Sequence, residues 1–205
     1  MSQEQKVTRK LTAIMSADVK GYSLLISDDE IHTIQTLKTY RQIMSEYIQQ
    51  HTGRVVDLPG DNLLAEFGSA VDAVQCAVGI QKRLKKENAR FVEDKRLEFR
   101  IGVNIGDVVQ DENSIYGSGV NLAARIEGLA DPGGVCISRN AYDHVKDKLE
   151  LGFEFLGEHN VKNIKDPVRV YKVLFDFDPP GSFSDEPLEL TDMPSIAVLP
   201  FDNMS

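Results

Sequence analysis

Between Val55 and Leu64 two apolar runs are joined by Asp57-Leu58-Pro59-Gly60-Asp61-Asn62. A Pro-Gly pair makes a tight turn, so the runs fold back on one another as an antiparallel hairpin from Arg54 to Phe67. The segments flanking the hairpin limit the fold further. Upstream, Ile31, Ile34, Leu37, Ile43 or Met44, and Ile48 recur at near-helical spacing. That predicts an amphipathic helix to about Gln50, opened by Ser27 with Glu30 three residues on and closed by Gly53. Downstream, Ser69 and Asp72 open a second helix whose Val71, Val74, Val78 and Leu84 face inward. Apolar strands at Leu11–Ala17 and Phe99–Val109 complete the order β-α-β-β-α-β, the split βαβ or ferredoxin-like pattern of an α+β fold. Beyond it come a helix from Val120 to Leu129, a strand from Val135 to Ser138, a helix from Arg139 to Lys148, and strands near Phe153–Leu156 and Val168–Leu174. Helices are expected on one face of a mostly antiparallel sheet, with Gly102 and Gly106 allowing bends in their strand.

Charge separates this core from the C-terminal stretch. Six of the nine net negative charges fall in residues 176–194, which hold no Lys or Arg and begin near Pro179-Pro180-Gly181. The expected division is a domain over 1–175, an acidic linker over 176–194, and the first strand of a truncated second domain over 195–205. A net charge of −9 argues against a general nucleic-acid binder. The basic cluster at Lys82, Arg83, Lys85 and Lys86 reads as a helix C-terminus suited to its dipole. Cys76 and Cys136 stand in apolar surroundings and read as buried free thiols, in keeping with a reducing compartment. No signal-peptide core opens the chain and no apolar run approaches transmembrane length, so a cytoplasmic location is expected for this segment.

Two carboxylates stand where chemistry could occur. Asp18 ends the apolar run Ile14–Ala17, with Gly21 three residues on, and Asp61 leaves the Pro-Gly turn at the mouth of its return strand. Either alone reads more simply as a strand-end cap or a turn residue. The matched pair, at adjacent strand ends, suits a divalent cation that takes oxygen ligands and keeps waters for substrate phosphates. Asn121 and Arg125, four apart, share one helix face, where an amide could hold a sugar or ring oxygen and a guanidinium a phosphate. Alone, this spacing is equally that of an ordinary surface pair.

Together these pieces resemble the class III nucleotide cyclase catalytic domain of bacterial type, over roughly residues 9–175. Ser16-Ala17-Asp18-Val19-Lys20-Gly21-Tyr22-Ser23 is similar to the family's first metal-binding segment and Pro59-Gly60-Asp61 to its second. Tyr116-Gly117-Ser118-Gly119-Val120-Asn121-Leu122-Ala123-Ala124-Arg125-Ile126-Glu127 resembles its Asn/Arg helix, followed by the break Asp131-Pro132-Gly133-Gly134. The resemblance implies that Asp18 and Asp61, with the Val19 carbonyl, bind two Mg²⁺ or Mn²⁺ ions per site. It implies that Asn121 orients the ribose and Arg125 stabilises the transition state as the ribose 3′-oxygen attacks the α-phosphorus of ATP and expels pyrophosphate. Arg100 falls where the family reaches the outer phosphates, although a solvated strand-start charge is an equal reading, and Lys162 falls near the family's triphosphate-binding lysine. Family sites take their metal aspartates from one chain and Asn/Arg from another, which implies a homodimer with its active sites at the interface.

Three positions bear on which base is read. The family's adenine-reading lysine stands four residues before its second metal aspartate; here that residue is Asp57. Its usual partner position falls at Ser114, as in the subgroup with Ser or Thr there, and Asn104 stands where many members have histidine. ATP is the expected substrate; a catalytically weak, nucleotide-binding dimerisation module is the alternative that Asp57 favours.

Overall fold

The computed structural model describes residues 8–111, 113–160 and 167–175. The linker and second-domain assignments therefore lie outside the described residues, as does Lys162. In chain order the elements are β1 (Thr8–Val19), α1 (Tyr22–Asp28), α2 (Glu30–Gln50), β2 (Arg54–Asp57), β3 (Leu63–Phe67), α3 (Ala70–Asn88), β4 (Phe99–Asp111), β5 (Ser114–Tyr116), α4 (Ser118–Glu127), β6 (Val135–Ser138), α5 (Arg139–Val145), β7 (Gly152–His159) and β8 (Val168–Leu174). The sheet runs β2-β3-β1-β4-β6-β8-β7, with β5 paired onto the far end of β4. Its left half, β4-β1-β3-β2 from the centre to the edge, is the split βαβ order anticipated from the hairpin and its two helices. All pairings are antiparallel except β4 with β6.

Alternation along β1 divides the molecule. Ala13, Met15, Ala17 and Val19 point into the main core with Leu37, Tyr40, Met44 and Ile48 of α2 and the apolar face of α3. Ile14 points the other way, toward Val108, Ile115 and Ala123 of α4. The helices thus cover both faces: α2, α3 and α5 pack on one, α4 on the other, which corrects the one-face expectation. Polar anchors tie the main layer together. Tyr40 Oη donates to Asn88 Oδ1 at 2.8 Å, and Gln81 Nε2 donates to the carbonyls of Phe99 and Gly134 at 2.8 Å each. Cys76 and Cys136 are buried free thiols, and burial pushes both up to about 12.

The start of α2 also differs from the sequence reading. The chain makes a separate short helix, α1, and breaks at Asp29, whose carboxylate accepts from the His32 amide at 3.1 Å and caps α2. Ser27 instead donates to the Ser23 carbonyl inside α1. Ile31 is therefore 71% exposed, while Leu37, Met44 and Ile48 face inward as expected and are joined by Thr33, Thr36 and Tyr40.

Gly102 has a different task from the bend assigned to it. A Cβ there would lie 2.3 Å from the Glu127 nitrogen and 2.4 Å from the Ala123 carbonyl oxygen, because α4 lies directly on β4. Both obstacles are backbone, so the helix would have to move. Gly102→Ala is expected to cost about 3 kcal/mol and to lower the melting temperature by roughly 10 °C. Gly68→Ala, with nothing within 4 Å, is the matched control that should leave melting unchanged.

Candidate active site

The end of β1 carries the first functional side chain. Asp18 pairs directly across the ladder with Arg100 on β4, so their side chains leave the same face at the same level. The guanidinium meets the carboxylate in a fork: Nε donates to Oδ1 at 3.0 Å, and Nη2 to Oδ1 and Oδ2 at 2.8 Å each. Arg100 is only 18% exposed in its side chain and is no free strand-start charge.

Its remaining N–H groups turn to the end of α4. Nη1 donates to the Gly128 carbonyl at 3.4 Å, and Nη2 lies 3.3 Å from Oε1 of Glu127. Glu127 is buried; Ser16 Oγ donates to its Oε2 at 3.5 Å. Burial, and next the negative charge of Asp18, push the Glu127 carboxyl up to about 8.

The second carboxylate arrives from the hairpin. Gly60 sits at φ 57°, a left-handed conformation in which a side chain would be strained, and it swings Asp61 back toward β1. There Asp61 Oδ2 accepts the Val19 amide at 3.2 Å. Asp18, Val19, Asp61 and Arg100 are thus brought together at one end of β1. The turn itself is held by a residue that local reading has no means to single out: Arg41, midway along α2, donates through Nη2 to the carbonyls of Leu58, Gly60 and Asn62. Arg41→Ala should loosen the turn at a stability cost of about 1 kcal/mol. It should also raise the divalent-ion concentration needed for half-maximal turnover several-fold; an unchanged metal titration would show that the turn holds without Arg41.

Among the described residues, none of the other expected site residues is hydrogen-bonded or ion-paired to this group. Asn121 and Arg125 are exposed on the outer side of α4, and among the described residues neither side chain has a hydrogen-bond or ion-pair partner. Asp57 is exposed and spends Oδ1 on the following Leu58 amide at 2.8 Å. Ser114 is half-buried at the start of β5, opposite Asp111, in a segment whose sequence reads only as a turn. Asn104 is fully buried, donating through Nδ2 to the Gly119 carbonyl at 3.0 Å while its Oδ1 lacks a partner.

The donor set at the end of β1 suits a hard divalent cation: two carboxylates and a main-chain carbonyl, all oxygen. Among the described residues no three His, Cys, Asp or Glu side chains converge as a metal cage. An ion here would be completed by water and by a phosphate-bearing ligand.

Fold and site together give an α+β domain that offers carboxylates at the end of β1 and an exposed Asn/Arg face on α4. Comparison with known proteins makes the class specific. Residues 4–174 match the model of the adenylate and guanylate cyclase catalytic domain, and the chain belongs to that family. It is 41% identical over 207 residues to "Putative adenylate cyclase 3" of Rhizobium meliloti, covering 98% of this chain and 35% of that protein. Among solved structures, the adenylate/guanylate cyclase/hydrolase from Silicibacter pomeroyi superposes with a TM-score of 0.79 at 36% identity, covering 83% of this chain and 100% of that one. The adenylyl cyclase CyaB from P. aeruginosa gives 0.72 at 26% identity, covering 83% and 96%. The chain spans about a third or less of the length of the first curated relatives it matches.

Proposed function

We propose that this domain is an adenylate cyclase, converting ATP to cyclic AMP and pyrophosphate in intracellular signalling, as a cytoplasmic homodimer. The observation that carries the reading is that Asn121 and Arg125 stand exposed on α4 with no partner among the described residues, while Asp61 is held at the end of β1 by the Val19 amide. A second copy presenting its α4 to the end of β1 would complete a site that one chain leaves in two halves.

Asp18 and Asp61, with the Val19 carbonyl, would hold two Mg²⁺ or Mn²⁺ ions. When bound, such ions acidify the ribose 3′-hydroxyl and offset the triphosphate charge. The rest belongs to the chain's own groups. The partner's helix brings the Asn121 amide to the ribose, fixing the 3′-oxygen in line with the α-phosphorus. The guanidinium of Arg125 meets the negative charge that grows on the phosphate oxygens as the bond to pyrophosphate breaks. Arg100, paired with Asp18, would meet the outer phosphates, where Lys162 is a further candidate. Among the described residues no helix is long and apolar enough to cross a membrane.

The test is direct. Purified protein is incubated with ATP or GTP in Mg²⁺ and in Mn²⁺, and cyclic nucleotide and pyrophosphate are measured. Equal yields of cyclic AMP and pyrophosphate support the reading; nucleotide binding without either product supports the second reading, a regulatory dimerisation module.

Asp57 favours that second reading, because an ionised carboxylate can only accept where the family's lysine donates to the purine ring. It could accept from the exocyclic amine of adenine, with Ser114 as a second contact, or it could remain the local turn cap its bond to Leu58 makes it. Discrimination between ATP and GTP should be looser than a lysine would give. Asp57→Lys is expected to raise the ATP:GTP ratio of kcat/KM about ten-fold, the size of one charged hydrogen bond. An unchanged ratio and unchanged turnover would remove Asp57 from base recognition.

A further inference from the structure

Arg100 has more acceptors than one carboxylate supplies, and their placement sets up a competition. Its Nε and Nη2 occupy both oxygens of Asp18, the oxygens that a cation would need. Its other directions are filled from α4, by Oε1 of Glu127 and the Gly128 carbonyl. Glu127 is held at this position from two sides. Its backbone lies against Gly102, where even a methyl group would be 2.3 Å from its nitrogen, and its far oxygen takes the Ser16 hydroxyl.

We infer that Glu127 is a positioning residue for Arg100: with Gly128 it forms a second acceptor pair on α4 that keeps the guanidinium beside the site when a divalent ion takes Asp18. The inference rests on the proposed metal role of Asp18. A guanidinium that lost its carboxylate with no second acceptor would leave buried N–H groups unsatisfied, and that cost would oppose metal binding. With Glu127 and Gly128 in place the guanidinium keeps the α4 acceptors it already holds through Nη1 and Nη2, and gives up only its bonds to Asp18. Asp18 is then open to the ion, and the N–H groups it vacates face the substrate side.

The experiment is Mn²⁺ binding to the nucleotide-free protein, followed by electron paramagnetic resonance, in a double-mutant cycle. Arg100→Gln removes the competitor and should tighten Mn²⁺ binding. Glu127→Leu removes the second acceptor and should weaken it about five-fold, the size of one hydrogen bond. Glu127→Gln, which still offers a carbonyl oxygen to Arg100, should restore wild-type affinity to within about two-fold. In the Arg100→Gln background, Glu127→Leu should no longer matter.

The same loss in both backgrounds would mean that Glu127 acts on the ion without Arg100, and it overturns the inference. So does an unchanged affinity in folded Glu127→Leu. If Glu127→Leu does not fold, Arg100→Gln decides alone: unchanged or weaker Mn²⁺ binding overturns the competition. Asp18→Ala keeps the premise separate, because Mn²⁺ binding equal to wild type in that variant defeats the metal reading itself.

Discussion

Asp18→Ala and Asp61→Ala are each expected to abolish metal-dependent turnover, by on the order of 10²- to 10³-fold or more, while the domain still folds. The loss comes from how few donors the site has. Two carboxylates converge at the end of β1, and among the described residues no third His, Cys, Asp or Glu side chain joins them as a metal cage. The main-chain carbonyl of Asn62, the neighbour of Asp61, is held by Arg41, and Asp57 is held by the Leu58 amide. Folding survives because neither aspartate belongs to the apolar core. With Asp18 gone, Arg100 still has Glu127 and the Gly128 carbonyl, and the negative charge that helps push the Glu127 carboxyl upward is removed. Circular dichroism and melting temperature should stay near wild type while activity and Mn²⁺ binding disappear. Retained turnover in both variants would falsify the metal assignment.

Features decided locally are legible in the sequence. The Pro59-Gly60 turn, the Ser69 cap of α3, the buried runs of β1 and β6, and the Asn121–Arg125 spacing are each set within a few residues. The hairpin between two helices then limits the order of the first four strands, which is why the left half of the sheet matches the expectation. Contacts fixed by register or by a distant element are not legible. Sequence places Arg100 on the outer phosphates or in solvent, and only the pairing of Asp18 with Arg100 across β1 and β4 brings the two together. Glu127 reads as one more helix residue until α4 lies on Gly102. Arg41 stands 19 residues from one of the carbonyls it holds. The face that α4 covers has no signature in its own periodicity, because an amphipathic helix says that it packs, and not on which side of a sheet. The break at Asp29 is hidden because Ser27 and Glu30 supply an equally good cap on paper.

Arg125→Ala is expected to lower kcat by on the order of 10²- to 10³-fold with a much smaller change in nucleotide affinity. Its guanidinium projects from α4 with no partner among the described residues, so removing it leaves no buried charge and costs little stability. Its value lies in the charge that develops on the phosphates as pyrophosphate departs, which a ground-state complex does not yet carry. An equal loss in affinity and in kcat would instead mark Arg125 as a binding contact.

In the proposed dimer a working site takes the β1 end of one copy and the α4 face of another. Mixing Asp18→Ala chains with Arg125→Ala chains tests it most directly. A heterodimer then has one site with both defects and one with none. Random pairing of equal amounts makes half of the dimers heterodimers, so activity should return to about a quarter of wild type. Each variant alone should stay inactive, and the recovered activity should track the heterodimer fraction measured by native mass spectrometry. Heterodimers that form and remain inactive would contradict a shared site.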